Sequence, residues 1–346
     1  MSRFADPGRV TIRDVADAAE VHISTVSRAL DPDKSSLIAA ATRDRVLAAA
    51  DQLGYQPHLV ASGLRRGRTR TVGVVLPDLG NPIYAPFARG LTHALDRGGI
   101  VPVVADTEDD HGRLERVLRH LTERRVDAIV VAAARLDDAP LLTAIVEQGV
   151  PVVTAVRILP GSGLPQVFHD DHAGGRLAGE HLADLGHQRV ARVRGPQDVQ
   201  AFQSRSAGFV EGIGGTDRLT EEPAAASAPD DDDGLRVTRA LLDLVEPPPT
   251  AIFAENDALA LGVLQALREA GLRCPEDISV VGYNDAPFAA HAAPPLTTIR
   301  LSAYDVGWRA GTLAMAAIDR PDEPHEEPQV PPELVVRRST APPRDD

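Results

Sequence analysis

Aromatic side chains are scarce in this chain: one Trp, four Tyr and seven Phe supply 3% of its 346 residues. It holds one cysteine, Cys274, which excludes an internal disulfide framework. Lys34 is its sole lysine, so no Gly-x-x-x-x-Gly-Lys-Ser/Thr phosphate loop can form. No Gly-x-Gly-x-x-Gly follows the apolar run at 72–76, and neither Gly-x-Ser-x-Gly nor His-Glu-x-x-His occurs. A sugar- or nucleotide-using enzyme with an incidental helical extension therefore has none of its usual residue sets. No stretch approaches the roughly 18 apolar residues of a membrane span, and the N-terminus has no signal-peptide core. The expectation is a cytoplasmic protein with no membrane contact, no cofactor, no resident metal and no enzymatic reaction.

What is present is unevenly distributed. The net charge is −14, yet residues 1–70 carry +3 and the remainder −17, which places the basic end toward nucleic acid and keeps the acidic body off it. Over 11–20, Thr11 can cap a helix whose first turn contains Asp14, and Val15, Ala16 and Ala19 give it an apolar side. A second helix at about 23–30 buries Val26 and Leu30 and turns Ser24, Thr25, Ser27 and Arg28 outward, groups suited to phosphates and base edges. A third, at about 40–53, has Val46, Leu47, Ala50 and Leu53 on one face and Gly54 as its stop. The helix pattern alone also fits a three-helix bundle with no DNA role. Beyond it, 58–70 is a helix-compatible run with Val60 and Leu64 on one face, followed by four arginines.

Together, 11–30, 42–46, 53–57 and 61–65 resemble the headpiece and hinge of the lac repressor family. The resemblance implies a helix-turn-helix in the major groove and a hinge helix that pairs with its twin in the minor groove. Leu64 would then be a wedge between base pairs that kinks the duplex. The candidate DNA-contacting residues are Thr11, Ile12, Ile23, Ser24, Thr25, Ser27, Arg28, Leu64 and Arg65. Three positions depart from the family pattern. Glu20 replaces a turn glycine, at about 1 kcal/mol for a left-handed conformation. His22 replaces a serine cap, and Ala39 or Ala40 stands where Ser or Thr often caps helix three, each loss being worth about 1 kcal/mol. A marginal headpiece follows from these, and Gly63 points to a hinge that orders only on DNA.

From 71 onward, β-branched runs at 71–76, 101–105, 128–132 and 150–154 alternate with amphipathic segments, and the pattern restarts with 189–193, 250–254 and 278–282. Apolar on both faces, such strands belong inside parallel sheets covered by helices. The acidic run at 229–234 reads as a solvated loop before a helix at 235–244. The predicted fold is an all-α helix-turn-helix headpiece (1–56), a hinge helix and linker (57–70), and an α/β core of two doubly wound parallel-sheet subdomains, interleaved within 71–346.

Ligands of open parallel sheets bind outside the carboxyl ends of the strands. At those places PDLGNPIY (77–84), RSAGF (205–209), FAEND (253–257), GYND (282–285) and PLTT (295–298) resemble the effector-binding core of the same family, itself similar to periplasmic sugar-binding proteins. By that resemblance Arg205 is a clamp for hydroxyls or a carboxylate. Asn256 and Asn284 add amide contacts, Tyr84 closes one wall, and Asp257 and Asp285 either touch ligand or hold their loops. At Asn284 the family more often has aspartate, so an acceptor-only group is exchanged for one that also donates. The loop at 224–233 has no aromatic to stack on a ring, which argues against a flat purine. The cluster His169, Asp170, Asp171 and His172 reads as a loop before a helix at 173–185 rather than a metal site. Phe202 and Phe288 fit a pocket or the core equally, and Tyr304 and Trp308 read as packing residues. The implied function is a ligand-responsive transcriptional repressor, a homodimer on a pseudo-palindromic operator with a sugar-like effector between its subdomains.

Overall fold

The computed structural model describes residues 10–30, 35–55, 68–220, 222–321, 323 and 329–344. The chain divides into two compact units, Met1–Thr69 and Arg70–Asp346. The expected hinge helix, with Gly63, Leu64 and Arg65, lies outside the described residues.

In the first unit, α1 (Ile12–Ala18), α2 (Ile23–Ala29) and α3 (Ala40–Gln52) enclose a core of Val15, Ala16, Ala19, Val26, Ala29, Val46, Ala49 and Ala50. Thr11 closes a full capping box: Asp14 Oδ2 accepts from Thr11 N at 2.7 Å, and Thr11 Oγ1 accepts from Asp14 N at 3.4 Å. Glu20 does adopt the left-handed region, with φ 50°. Around it Val21 N donates to Ala16 O at 3.0 Å and Glu20 N to Asp17 O at 3.2 Å, the paired bonds that end a helix on a left-handed residue. The third helix departs from expectation: Leu47 and Leu53 are exposed, and Ala49 and Ala50 are buried with Val46. Counting three and four residues on from Val46 reaches Ala49 and Ala50, so the inward stripe falls on small residues and the leucines flank it.

The second unit is built of two α/β lobes. In the first, β1 (Thr71–Leu76), α4 (Tyr84–Asp96), β2 (Val101–Asp106), α5 (His111–Glu123), β3 (Ala128–Val131), α6 (Ala139–Glu147), β4 (Val152–Ala155) and β5 (Gln166–His169) alternate. With β10 (Gln329–Val330) they make a parallel sheet of order β10-β5-β4-β3-β1-β2. The second lobe holds α7 (Asp171–Asp184), β6 (Val190–Val193), α8 (Gln200–Gly212), α9 (Asp231–Leu244), β7 (Ala251–Ala254), α10 (Asp257–Glu269), β8 (Ser279–Asn284), β9 (Thr297–Arg300) and β11 (Glu333–Val335). Its sheet runs β11-β9-β8-β7-β6. A long helix, α11 (Ala303–Asp319), returns to the first lobe. The chain thus crosses between lobes after β5, β9 and β10, and Asp170 N donates to Val330 O at 3.1 Å, tying two crossings together.

Three expectations for the core need correction. The second sheet is not wholly parallel, because β11 reverses and pairs antiparallel with β9. Strand β2 is not covered on both faces: it is the sheet edge, and Val101, Val103 and Val104 are exposed. The acidic run is no loop. Asp230 caps α9 by accepting from Asp233 N at 2.8 Å, and Asp231, Asp232 and Asp233 occupy the first turn, where the helix dipole favours negative charge. The sequence pattern does not mark the short strands β5, β9, β10 and β11.

Two helix pairs lock the lobes by close backbone approach. Between α7 and α8, a Cβ on Gly208 would fall 1.9 Å from His172 O, and one on Gly175 would fall 2.1 Å from Arg205 O. Between α4 and α11, a Cβ on Gly307 would fall 2.0 Å from Phe87 O. These contacts fix α8, and with it Arg205, against the crossing that leads out of β5.

Candidate functional site

The second headpiece helix has a polar outer side. On α2, Ser24 and Arg28 are exposed and Thr25 and Ser27 half-buried, while Val26 and Ala29 anchor the helix inward. Ile12 and Ile23 are half-buried and pack at the rim of the core, so each could present only an edge to a partner. His22, expected to be a lost cap, does cap α2: its Nδ1 accepts from Ser24 N at 3.2 Å and lies 2.8 Å from Ser24 Oγ. An imidazole lone pair replaces the serine oxygen, which the sequence-level ranking of caps does not anticipate. Ala39, by contrast, caps α3 with no side-chain bond. Sequence reasoning also missed Arg45, whose Nε donates to Ala19 O at 2.9 Å and ties α3 to the end of α1, holding the turn before α2.

In the α/β unit the strand ends of both lobes face one another, and the predicted effector residues fall there. Arg205, buried in α8, donates from Nε to Asp171 Oδ1 at 2.8 Å and from Nη1 to Glu255 O at 2.7 Å. Its guanidinium lies 4.0 Å from the centre of the Tyr283 ring and 5.1 Å from that of Phe202. Tyr84, at the start of α4 in the other lobe, is buried within the fields of Arg157, Asp109, Arg205 and Asp78, and burial raises its phenol above the ordinary value. The charge of Arg205 thus reaches Tyr84 from the opposite lobe.

The two asparagines part company. Asn256 caps α10 by accepting from Leu259 N at 2.7 Å and donates to Pro229 O at 2.8 Å. Both ends of its buried amide are therefore engaged by backbone, which makes it a positioning residue for α10 and for the loop before α9. Asn284 is different: it ends β8 with φ 112°, and its Oδ1 is buried with no partner. Asp257 and Asp285 hold loops. Asp257 accepts from Thr298 Oγ1 and Ala286 N, both at 2.6 Å, and burial pushes its carboxyl up to about 7. Asp285 pairs with Arg300 at 2.8 Å and Arg337 at 2.6 Å.

Several groups at the cleft are not among the effector residues expected from the sequence. Arg157 grips Asp109 through two bonds of 2.6 and 3.0 Å, and Arg135 approaches the same carboxylate at 3.2 Å. Burial opposes ionisation of Asp109, but the two guanidiniums outweigh it and hold the carboxyl below its ordinary range. Glu255 accepts from Gly195 N at 2.8 Å and from Ser206 Oγ, and burial pushes it up to about 7. His169, at the end of β5, is pushed down to about 4 by burial, and its Nε2 has no partner. Among the described residues no cluster of His, Cys, Asp and Glu could hold a metal ion, and no helix is long and apolar enough to cross a membrane.

Comparison with known proteins accounts for both units. Residues 11–58 match the family described as "Bacterial regulatory proteins, lacI family", and residues 180–340 match a "Periplasmic binding protein-like domain". The chain is 31% identical to the ribose operon repressor of Halalkalibacterium halodurans over 336 residues, covering 95% of this chain and 97% of that one. Among solved structures it resembles a lac repressor dimer bound to operator and the anti-inducer ONPF, with a TM-score of 0.84, 27% identity, and coverage of 96% of this chain and 99% of that one. It also resembles a LacI family regulator from Enterococcus faecium with bound ribose, with a TM-score of 0.68, 31% identity, and coverage of 79% of this chain and 100% of that one. The chain belongs to the lacI family of bacterial regulatory proteins: it is a DNA-binding transcriptional regulator, not an enzyme.

Proposed function

We propose that this chain is a cytoplasmic repressor that binds a pseudo-palindromic operator as a homodimer and is controlled by a small, neutral, hydroxyl-rich effector seated between its lobes. The observation that carries the reading is in the cleft at the strand ends of both sheets, where Asn284 ends β8 with a buried Oδ1 that has no partner. The buried guanidiniums there are already paired, Arg157 with Asp109 and Arg205 with Asp171, so an anionic effector would have to displace a carboxylate. The partnerless Asn284 Oδ1 asks for a donor, which a sugar hydroxyl provides. Sugar is also the effector class suggested by the ribose operon repressor and the ribose-bound structure.

On the DNA side, Thr11, Ser24, Thr25, Ser27 and Arg28 would contact phosphates and base edges, with Ile12 and Ile23 at the rim and Leu64 and Arg65 acting from the hinge. The exposed apolar edge at Val101, Val103 and Val104 is the surface we assign to the second subunit, which a two-fold operator requires. The test is selection of bound duplexes from a randomised pool with the full chain, followed by titration of D-ribose against the selected duplex. Inverted half-sites and a ribose-dependent change in affinity are expected. Enrichment of no sequence would refute the operator reading, and an affinity unchanged by ribose and by a panel of other neutral sugars would refute the effector reading.

A further inference from the structure

The two lobes also meet through a direct polar contact that effector recognition does not require. Arg135, in the loop between β3 and α6, places Nη1 on Asp198 Oδ2 in the loop between β6 and α8 of the opposite lobe. Beside it, Leu136 N donates to Asp198 O at 2.9 Å. Apart from the three crossings, which are covalent, this is a point at which cleft-lining loops of the two lobes are bonded to one another. Arg135 is held ready on its own side: Asp138 Oδ2 accepts from its backbone N–H at 2.8 Å, and its Nη2 lies 3.2 Å from Asp109 Oδ2. Asp109 is fixed in turn by Arg157. A line of alternating charges, Arg157, Asp109, Arg135 and Asp198, therefore runs out of the buried cleft and across the lobe boundary.

We infer that Arg135 and Asp198 form a latch that sets the balance between closed and open lobes without help from any ligand. The pair is poised to be reversible. Asp198 is 47% exposed and Arg135 22%, so water and salt screen their attraction, and exposed pairs of this kind shift an equilibrium by about two- to five-fold. A buried pair of the Arg157–Asp109 type would hold the lobes too firmly to respond. The consequence rests on the effector reading above: a ligand that seats only between closed lobes binds with an apparent affinity scaled by the closed fraction, so the latch tunes sensitivity without touching the ligand.

The latch itself can be measured with neither effector nor DNA. In full-length protein carrying Cys274→Ser, dyes on Leu79→Cys and Ala290→Cys, both exposed positions on opposite lobes, report lobe separation by single-molecule energy transfer. Asp198→Asn is expected to lower the closed-to-open ratio two- to five-fold at low salt, to have little further effect in an Arg135→Gln background, and to converge with the parent in about 1 M salt. The parent alone should open as salt rises, a control that needs no latch variant. A parent distribution indifferent to salt, or an Asp198→Asn effect that is absent or equally large without Arg135, overturns the latch. Failure of every sugar to bind would leave this result standing, and so separates the two readings.

Discussion

Glu255→Gln should stabilise the α/β unit at pH 8 and leave it almost unchanged at pH 5. Glu255 is fully buried, and burial pushes its carboxyl from 4.5 up to about 7, although Ser206, the Gly195 N–H at 2.8 Å and the neighbouring Arg192 and Arg205 all favour the anion. A folded-state value above the unfolded one means that the native protein holds this proton more tightly than the unfolded chain does. The associated stability is complete below pH 4.5 and is lost as pH rises through 7. At about 1.4 kcal/mol per unit of difference, the loss is on the order of 3 kcal/mol, or about 5–10 °C of melting temperature for a unit of this size. Glutamine keeps an acceptor for Gly195 and a donor for Ser206 while removing the charge. Thermal melts followed by the fluorescence of Trp308, the only tryptophan, across pH 5 to 8.5 would read the effect. Asp257 is raised to about 7 by burial as well, so the single variant should flatten only part of the pH dependence, and adding Asp257→Asn should flatten more. A gap of equal size at pH 5 and pH 8 would mean that packing, not ionisation, is being altered, and a variant less stable at pH 8 would refute the reasoning outright.

Arg205→Ala leaves Asp171 buried without its partner, so the variant should lose about 3–5 kcal/mol of stability in the absence of any sugar as well as sugar binding; an unchanged melting temperature would show that the pair is not structural. In Gly208→Ala the new methyl falls 1.9 Å from His172 O, so α7 and α8 must part and the melting temperature should drop at every pH, as circular dichroism would show. His22→Ala removes the cap of α2 and should cost about 1 kcal/mol of headpiece stability, detectable by chemical denaturation of full-length protein followed by headpiece amide exchange; unchanged protection would mean the imidazole contributes nothing. Val104→Asp places a charge on the exposed apolar edge of β2 and should weaken the dimer at least ten-fold in sedimentation experiments, whereas an unaltered association constant would move the interface elsewhere.

The elements legible in the sequence were those whose own residues dictate them. Thr11 with Asp14, the glycine after α3 and the β-branched runs at 71–76 and 128–132 each encode a local structure in a few adjacent side chains, and each lies close to its observed bounds. What could not be read depends on partners distant in sequence. β10 and β11 are two and three residues long and exist only because β5 and β9 offer them free edges, so no periodicity could mark them. The same limit governs the cleft. Motif strings identified Arg205, but not that Asp171, 34 residues earlier, would neutralise it, nor that Asp109, Arg135 and Arg157 would converge from three separate loops. His22 is a different case: its ring nitrogen reaches the same N–H that a serine oxygen would, so a ranking by residue type misses an equivalence of geometry. Because charge pairing across the cleft is set by tertiary placement, a relative with the same Arg205 and Asn284 but a neutral residue at 109 or 171 would carry an uncompensated guanidinium there, and by the same physics would favour an anionic ligand.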